Sequence, residues 1–205
     1  MGEQHSLMFP AYSKWIGIDT YAGKIHVEWD PQAAVTPLGQ LPFFISFLKT
    51  SGLYDDFVAQ CPLSYTSPNA PKRRDVLGTM VMSVLAGHHC YAHITSLRFD
   101  TVNPELLGMS KVISEDATRR AFKAIDEEPG VAWLDDQLHK STQAALSLGP
   151  WILDTDTTVK CLYGKQEGRP SHNYHSCFMG NTRLALTVEV NHGNQHSAKH
   201  VAPSL

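Results

Sequence analysis

The chain has 205 residues, a formal net charge of −3, 42% hydrophobic residues and 18% charged residues. These values argue against a disordered chain and against a polycation, and no apolar run reaches the roughly 20 residues of a membrane helix. Four dispersed cysteines without a CxxC pair are typical of reduced thiols, so we expect a cytoplasmic protein.

Residues 1–37 predict a β-hairpin and a connector. β-prone runs at 15–18 and 25–29 flank the turn sequence Tyr21-Ala22-Gly23-Lys24. The connector that follows is rich in proline, glycine and glutamine.

Residues 38–150 predict a helical region, because apolar residues recur there at helical spacing. Pro42 suits the first turn of one helix, which Gly52 ends, and a short helix at 53–60 and a proline-rich loop at 61–71 follow. Asp75 suits the N-cap of a core helix that ends at Gly87. The apolar positions are Phe43, Phe44, Phe47 and Leu48 in the first helix and Val76, Leu77, Met80, Val81, Val84 and Leu85 in the core helix.

Further helical segments complete this region. Two short ones are expected at 92–98 and 104–109, and Ser114 suits the N-cap of a third, whose first turn is acidic. A longer helix opens at Pro129 and ends before Gly149-Pro150. Its predicted inward face is Val131, Leu134 and Leu138.

After residue 150 the pattern becomes that of a sheet. Strands are expected at 151–156, 173–179 and 183–190, with Gly180-Asn181 as the turn between the last two. The sequence therefore predicts an α+β chain. Because no helices follow these strands, we expect an uncovered edge and face in residues 151–205.

Two groups of basic residues are candidates for DNA contacts. Lys72-Arg73-Arg74 precedes the core helix and suits either a phosphate contact or, as the favoured alternative, an ordinary solvated approach to a helix. A second group, which follows the short 104–109 segment, lies on one exposed helix face and consists of Arg119, Arg120 and Lys123. That arrangement suits either a helix-turn-helix, whose second helix enters a DNA groove, or an ordinary amphipathic surface helix.

Asp154 and Asp156 are the carboxylates that suit a metal site. They are two residues apart, so they share one face of a strand, and Mg²⁺ or Mn²⁺ accepts carboxylate ligands. The alternative is that they only make turn hydrogen bonds with Thr157 and Thr158.

Histidine and cysteine suggest a third kind of site, which would hold zinc. The closest set in sequence is His172, His175 and Cys177, and a second set has the spacing of one helix turn: His192, His196 and His200. Gly193 and Asn194 argue against that helix, and His88-His89-Cys90 suits an ordinary helix end.

The residues taken together resemble bacterial insertion-sequence transposases with a DDE, RNase-H-like catalytic domain. The resemblance runs from about residue 24 to the end and rests on these blocks: CPLSYTSPNAPKRRDVLG (61–78), NPELLGMSKV (103–112), SEDATRRAFKAID (114–126), GVAWL (130–134), LDTDTTVK (153–160), LYGKQEG (162–168), GRPSHNYH (168–175) and RLALTVEV (183–190).

This resemblance implies DNA cleavage and strand transfer at the ends of a mobile element. Three acids would hold two Mg²⁺ or Mn²⁺ ions, and Asp156, directly before the paired threonines, matches the first acid, with Asp154 in support. Residues 38–150 would bind the terminal repeats as double-stranded DNA, and residues 151–205 would open the catalytic domain. Lys160 and Arg169 join the candidate DNA contacts. A homo-oligomer and a location on the bacterial nucleoid are further implications.

Two departures from the family pattern bear on activity. Segment 164–168 runs directly into 169–172, whereas in the family about a dozen more residues lie between these blocks. The family's second Asp and its Glu fall beyond Leu205. We therefore expect a shortened, truncated transposase that does not cleave DNA alone. The alternatives are a non-catalytic DNA-binding regulator and a zinc protein.

Overall fold

The computed structural model describes residues 15–28, 30, 32–147, 149–161 and 171–192. Its elements, in chain order, are β1 (Trp15–Thr20), β2 (Gly23–Glu28), α1 (Leu41–Ser51), α2 (Leu53–Gln60), α3 (Arg73–Leu85), a 3₁₀ helix (Tyr91–His93), α4 (Ile94–Leu97), α5 (Val102–Leu106), α6 (Glu115–Lys123), α7 (Glu127–Leu146), β3 (Leu153–Cys161), β4 (Ser171–Met179) and β5 (Leu184–His192). The predicted α+β class is confirmed at this coarse level.

The first two strands form the predicted antiparallel hairpin. Its register pairs Trp15 with Glu28 and Thr20 with Gly23, so Tyr21 and Ala22 alone make the turn. Gly23 has a φ of 121°, a conformation that side chains with a Cβ rarely adopt.

Helix α1 forms where Pro42 predicts it and ends at Gly52 in the left-handed conformation, but most of its predicted apolar stripe faces solvent. Leu41 and Ile45 are buried, whereas Phe43 is 81% exposed. Phe44 and Phe47 are also exposed, with ring centroids 5.9 Å apart. The reason is that α1 packs against α2 and α5 through the face of Leu41 and Ile45. Leu48 packs against the same apolar cluster, and the three phenylalanines lie on the other sides of the helix.

Helix α3 lies at the centre of the helical region and separates two apolar clusters. It packs against α2, α4, α5 and α6. The cluster on one side contains Leu41, Ile45, Tyr54, Met82, Leu97, Leu107 and Met109. The cluster on the other side contains Cys61, Leu63, Val76, Leu77, Ile113, Ala121 and Trp133. The predicted core helix is thus confirmed, although Val84 is exposed because it lies on the outer side of the last turn.

Two polar residues of α3 are buried and hold the segment that leads into α6. The predicted N-cap role of Asp75 is wrong, because Lys72 holds that position and Asp75 lies within the first turn. Its Oδ1 accepts a hydrogen bond from the Ser110 backbone N–H at 2.7 Å. One turn later, Thr79 Oγ1 donates to the Asp75 carbonyl at 2.7 Å and accepts from the Ile113 N–H at 3.0 Å.

Gly78 lies between these two residues and allows a close approach. A Cβ at this position would lie 2.4 Å from Met109 Sδ and 2.6 Å from the Tyr54 hydroxyl. Burial raises the pKa of Tyr54, and its hydroxyl donates to the Arg74 carbonyl at 3.0 Å. A side chain at this position would therefore force Met109 and Tyr54 to move, because both pack directly on the helix backbone.

Helix α7 docks on α2 through a face that differs from the predicted one. Trp133 is buried, donates from Nε1 to the Phe57 carbonyl at 3.2 Å, and stacks on the Phe57 ring with centroids 4.5 Å apart. Val131 and Leu134, predicted to face inward, are each 52% exposed. The aromatic pair at 133 sets the helix rotation, and Gln137, one turn further, lies on the same buried face.

The last three strands form an antiparallel sheet in the order β3-β4-β5, and α7 lies against β5. Strand β3 extends to Cys161, five residues beyond its predicted end, so Asp156 lies in mid-strand. An apolar run such as Trp151-Ile152-Leu153 favours a buried strand, but only Thr157 of β3 is half-buried, because the covered face of the sheet is centred on β4.

We expect Thr79→Val to lower the free energy of unfolding by about 1–3 kcal/mol, because it leaves the buried Ile113 N–H without its acceptor while keeping the shape of the side chain. Urea denaturation measures the change. Thr95→Val, at an exposed position of α4, is the matched control and should stay within about 0.5 kcal/mol of the parent chain. Equal effects of the two substitutions would contradict the role of Thr79.

Candidate nucleic-acid interface and carboxylate strand

The exposed face of α6 carries the predicted basic residues. Ser114 is the N-cap, as predicted, and its Oγ accepts from the Ala117 N–H at 3.4 Å. Thr118 and Ala121 are buried, and the helix packs against α3 and the 3₁₀ helix. The opposite face is exposed to solvent and presents Arg119, Arg120 and Lys123.

These three cations differ in what they contact. Arg119 pairs with Asp116 at 3.4 Å, and its guanidinium carbon lies 5.4 Å from the centroid of the Tyr91 ring. The side chains of Arg120 and Lys123 make no hydrogen bond or ion pair with any residue that the structure describes. Their charges are therefore available to an external anion, whereas Arg119 would exchange internal contacts for external ones.

The predicted helix-turn-helix is not supported by the geometry. Eight residues, 107–114, separate α5 from α6, whereas the turn of that motif has three or four residues. Helix α5 packs against α1 and α3, and α6 packs against α3 and the 3₁₀ helix. The alternative of an amphipathic surface helix describes α6 better.

Arg73 has an internal contact that the sequence did not predict. Its guanidinium group donates to the Leu63 carbonyl at 2.9 and 3.2 Å, to the Val58 carbonyl at 3.4 Å and to the Ala59 carbonyl at 3.1 Å. These carbonyls lie at and just beyond the C-terminal end of α2, where cationic side chains stabilise the helix. The contacts favour a structural role for Arg73.

Arg74 and Lys72 are also engaged within the chain. Arg74 donates to the Leu107 carbonyl at 3.1 Å and pairs with Asp55 at 2.5 Å. Lys72 is more exposed, and its Nζ donates to Ser110 Oγ at 2.7 Å. Of the three residues, Lys72 is the one that could most easily change partners to reach a phosphate.

A groove beside Lys72 adds two cations that sequence reasoning missed. It has a volume of about 540 Å³, and its lining includes Arg98, Lys111 and Ser110. Glu105 and Asp100 also line it, so its charge is mixed. No sequence signal marks Arg98 and Lys111, because each is an isolated basic residue in its own segment.

Asp154 and Asp156 lie on the same face of β3, as their spacing predicts. In the register with β4 they are opposite Phe178 and Ser176, on the face away from the buried side chains of β4. The hydroxyl of Thr158 donates to Asp156 Oδ2 at 3.2 Å. Both carboxylates are exposed, which makes them accessible to a cation but leaves them in water, where a single ion pair is worth little.

These residues would suit one weakly held Mg²⁺ or Mn²⁺ rather than a pair of ions. Two carboxylates with water or phosphate oxygens can complete the octahedral shell of one such ion. Two ions about 3.5–4 Å apart need more bridging ligands. Among the described residues, no three of the types His, Cys, Asp and Glu come close enough to hold a metal.

Of the two remaining DNA-contact candidates, one can be described. Lys160 lies on the same face of β3 as Asp156, and its Nζ is 5.5 Å from the centroid of the Tyr174 ring. Arg169 lies outside the described residues.

The predicted zinc sets do not converge where they are described. His175 and Cys177 are buried on one face of β4, whereas His172 lies on the other, and His175 Nδ1 is 3.0 Å from Thr157 Oγ1. His192 is opposite His172, and His196 and His200 lie outside the described residues. In the third set, His88-His89-Cys90, the cysteine is exposed. Burial lowers the pKa of His88, and the neighbouring His93 and His89 lower it further.

No protein-family profile, curated protein sequence or solved structure matches this chain. Within the described part of the chain, none of the helices combines the length and the apolar character needed to cross a bilayer.

Proposed function

We propose that this chain binds double-stranded DNA and is related to the transposases of insertion sequences with a DDE catalytic domain. The observation that carries the DNA-binding half of this proposal is the exposed face of α6, where Arg120 and Lys123 have no partner among the described residues. The chain as a whole is acidic, with a net charge of −3, so its attraction to DNA must come from a local surface.

The packing of α6 supports its use as a rigid binding face. Its N-terminal turn is capped by Ser114, and its inner face is anchored on α3 through Thr118 and Ala121. Because the helix backbone is already fixed, only the side chains of these cations lose conformational freedom on binding, so more of each phosphate contact appears as affinity. Arg119, already oriented by Tyr91 and Asp116, would add a third contact at the same face.

The catalytic half of the proposal rests on Asp156. It occupies the position that the family resemblance gives to the first of three acids, and its carboxylate is exposed on a strand face with Asp154. In the intact family, bound metal ions activate water or a 3′ hydroxyl for attack on a phosphodiester. Here Asp156 and Asp154 would bind one such ion, with Thr158 orienting the Asp156 carboxylate. By this proposal the protein acts on the terminal repeats of a mobile element in the bacterial nucleoid.

The second candidate function is a DNA-binding regulator without catalytic activity. The observation that favours it is the number of carboxylates on the exposed face of β3. The strand offers Asp154 and Asp156, whereas cleavage in the transposase family uses three acids and two metal ions. Both candidates share DNA binding by α6 and differ only in cleavage. The third alternative, a zinc protein, would need a ligand cluster, and the described residues place His172 away from His175 and Cys177.

We expect Arg120→Ala/Lys123→Ala to weaken binding to duplex DNA and to reduce the slope of log K against log salt by about 2, because each lost phosphate contact removes about one unit. Fluorescence anisotropy measures this over a salt series, with one duplex that carries the terminal repeats flanking the gene and one of scrambled sequence.

Lys24→Ala/Lys49→Ala is the matched control, since it removes the same charge from exposed positions on β2 and α1. It should leave the salt slope unchanged. If this control lowers the slope as much as the α6 variant, binding follows net charge and the assignment to α6 is wrong.

We expect no metal-dependent cleavage of terminal-repeat DNA by the 205-residue chain in Mg²⁺ or Mn²⁺, because one matched acid with one neighbour cannot hold two ions. A strand-cleavage assay on labelled duplex tests this. Products that require metal and disappear in Asp156→Ala, but persist in the surface control Asp135→Ala, would contradict the expectation and exclude the regulator.

A further inference from the structure

Strand β3 is a long and exposed edge of the sheet. Eight of its nine residues are exposed, the exception being the half-buried Thr157. β4 covers one side of the strand, and among the described residues no strand pairs with the other side. Every second residue of such an edge points its N–H and C=O groups outward, which makes the edge a template for another strand.

The other edge of this sheet differs in two respects. β5 lies against α7, and its pairing with β4 is interrupted by a shift of register at Cys177 and Phe178. Bulges and covering helices are the usual means by which sheet edges are blocked. β3 pairs with β4 without interruption from Leu153 to Cys161 and has neither feature among the described residues.

The sequence of β3 is complementary to itself when two copies run antiparallel about Thr157. This register overlaps all nine residues, and the opposed pairs are Leu153 with Cys161, Asp154 with Lys160, Thr155 with Val159, Asp156 with Thr158, and Thr157 with itself. Two-fold symmetry makes the ion pair between Asp154 and Lys160 occur twice. Both members lie on the exposed face of their own sheet.

We propose that two copies of this chain associate through β3 in this register and form a continuous six-stranded sheet, β5-β4-β3-β3-β4-β5. The occupant of the free edge is thus a second copy of the same strand. The inference does not depend on DNA binding or on metal binding, because Asp156 keeps its exposed face in the paired sheet.

Charge favours this register over its neighbours. Moving the two-fold axis to Asp156 would place that carboxylate directly opposite its own copy, which is destabilising because the charges are alike. It would also remove the pair between Asp154 and Lys160. Moving it to Thr158 shortens the overlap to seven residues, 155–161, and takes Asp154 out of the pairing. A shift by one residue is excluded because it would turn the side chains of one strand to the wrong face.

The proposed register leaves one unfavourable contact, which is small. The two Asp156 carboxylates become diagonal neighbours at about 7–8 Å between backbone positions. At physiological ionic strength the Debye length is about 8 Å, so water and salt screen this repulsion. Directly opposed Asp154 and Lys160 are closer. To reach the second copy, the Lys160 side chain exchanges its contact with the Tyr174 ring of β4, whose centroid is 5.5 Å from Nζ, for the Asp154 carboxylate.

Paired charge variants test the register without disturbing the fold, since both positions are exposed. Asp154→Lys alone places two lysines opposite each other at both ends of the interface, and Lys160→Asp alone places two aspartates there. When the two variants are mixed, every pair in the mixed dimer is again a lysine with an aspartate. Sedimentation equilibrium from about 1 µM to about 1 mM, at low and high salt, measures the association.

We expect the parent chain to dimerise, each single variant to dissociate on the order of tenfold more readily, and the equimolar mixture to regain the parent association. Asp135→Lys, at an exposed position of α7, carries the same charge change as Asp154→Lys and should behave like the parent. A parent chain that stays monomeric would overturn the proposal. So would single variants that associate like the parent, or a mixture that associates no better than its components.

Discussion

The interface proposed for DNA depends on two buried polar side chains of α3. Asp75 and Thr79 accept hydrogen bonds from the backbone of Ser110 and Ile113, and both lie in a helix that is otherwise surrounded by apolar neighbours. A buried polar group costs free energy unless it is paired, so these residues are stable only when segment 110–113 lies against α3. Ser114, the N-cap of α6, directly follows that segment, so the segment fixes where the basic face begins.

The same constraint explains which basic residues remain available. Gly78 lets Met109 and Tyr54 approach the backbone of α3. Arg73 and Arg74, at the N-terminal end of α3, are drawn into contacts with the carbonyls of α2 and of Leu107. The cations of α6 lie outside this packed region and keep their charges exposed to solvent.

The sheet has a different organisation from the helical region. Its covered face is centred on β4, and β3 is exposed on both sides along almost its whole length. Exposure makes the carboxylates of β3 accessible and also leaves its edge open to another strand. The two proposals for this strand overlap at one residue. The metal site uses Asp154 and Asp156 on the outer face, and self-association uses the backbone edge together with an ion pair between Asp154 and Lys160 on that same face.

Local signals in the sequence predicted the elements well, and the helix faces less well. Ser114, Pro42 and Gly52 act through contacts within a few residues, so their roles were readable. Helix rotation is set by distant partners: the Phe57–Trp133 stack turns Val131 outward. For the candidate site, spacing placed Asp154 and Asp156 on one face.

The sequence could not show that Arg73 donates hydrogen bonds within the chain. Its acceptors are backbone carbonyls up to 15 residues away, and the positions of backbone groups cannot be read from side-chain patterns. The length of β3 was underestimated for a related reason. Its second half, Thr157 to Cys161, is ordered by pairing with β4, which lies ten or more residues further along the chain.

Titration of the labelled chain with duplex DNA, followed by backbone amide chemical shifts, tests the central claim most directly. Our account predicts that the largest shift changes fall on residues 114–123, because phosphates would contact the exposed face of α6. Changes confined to residues 72–74 or to the sheet, with α6 unaffected, would contradict it.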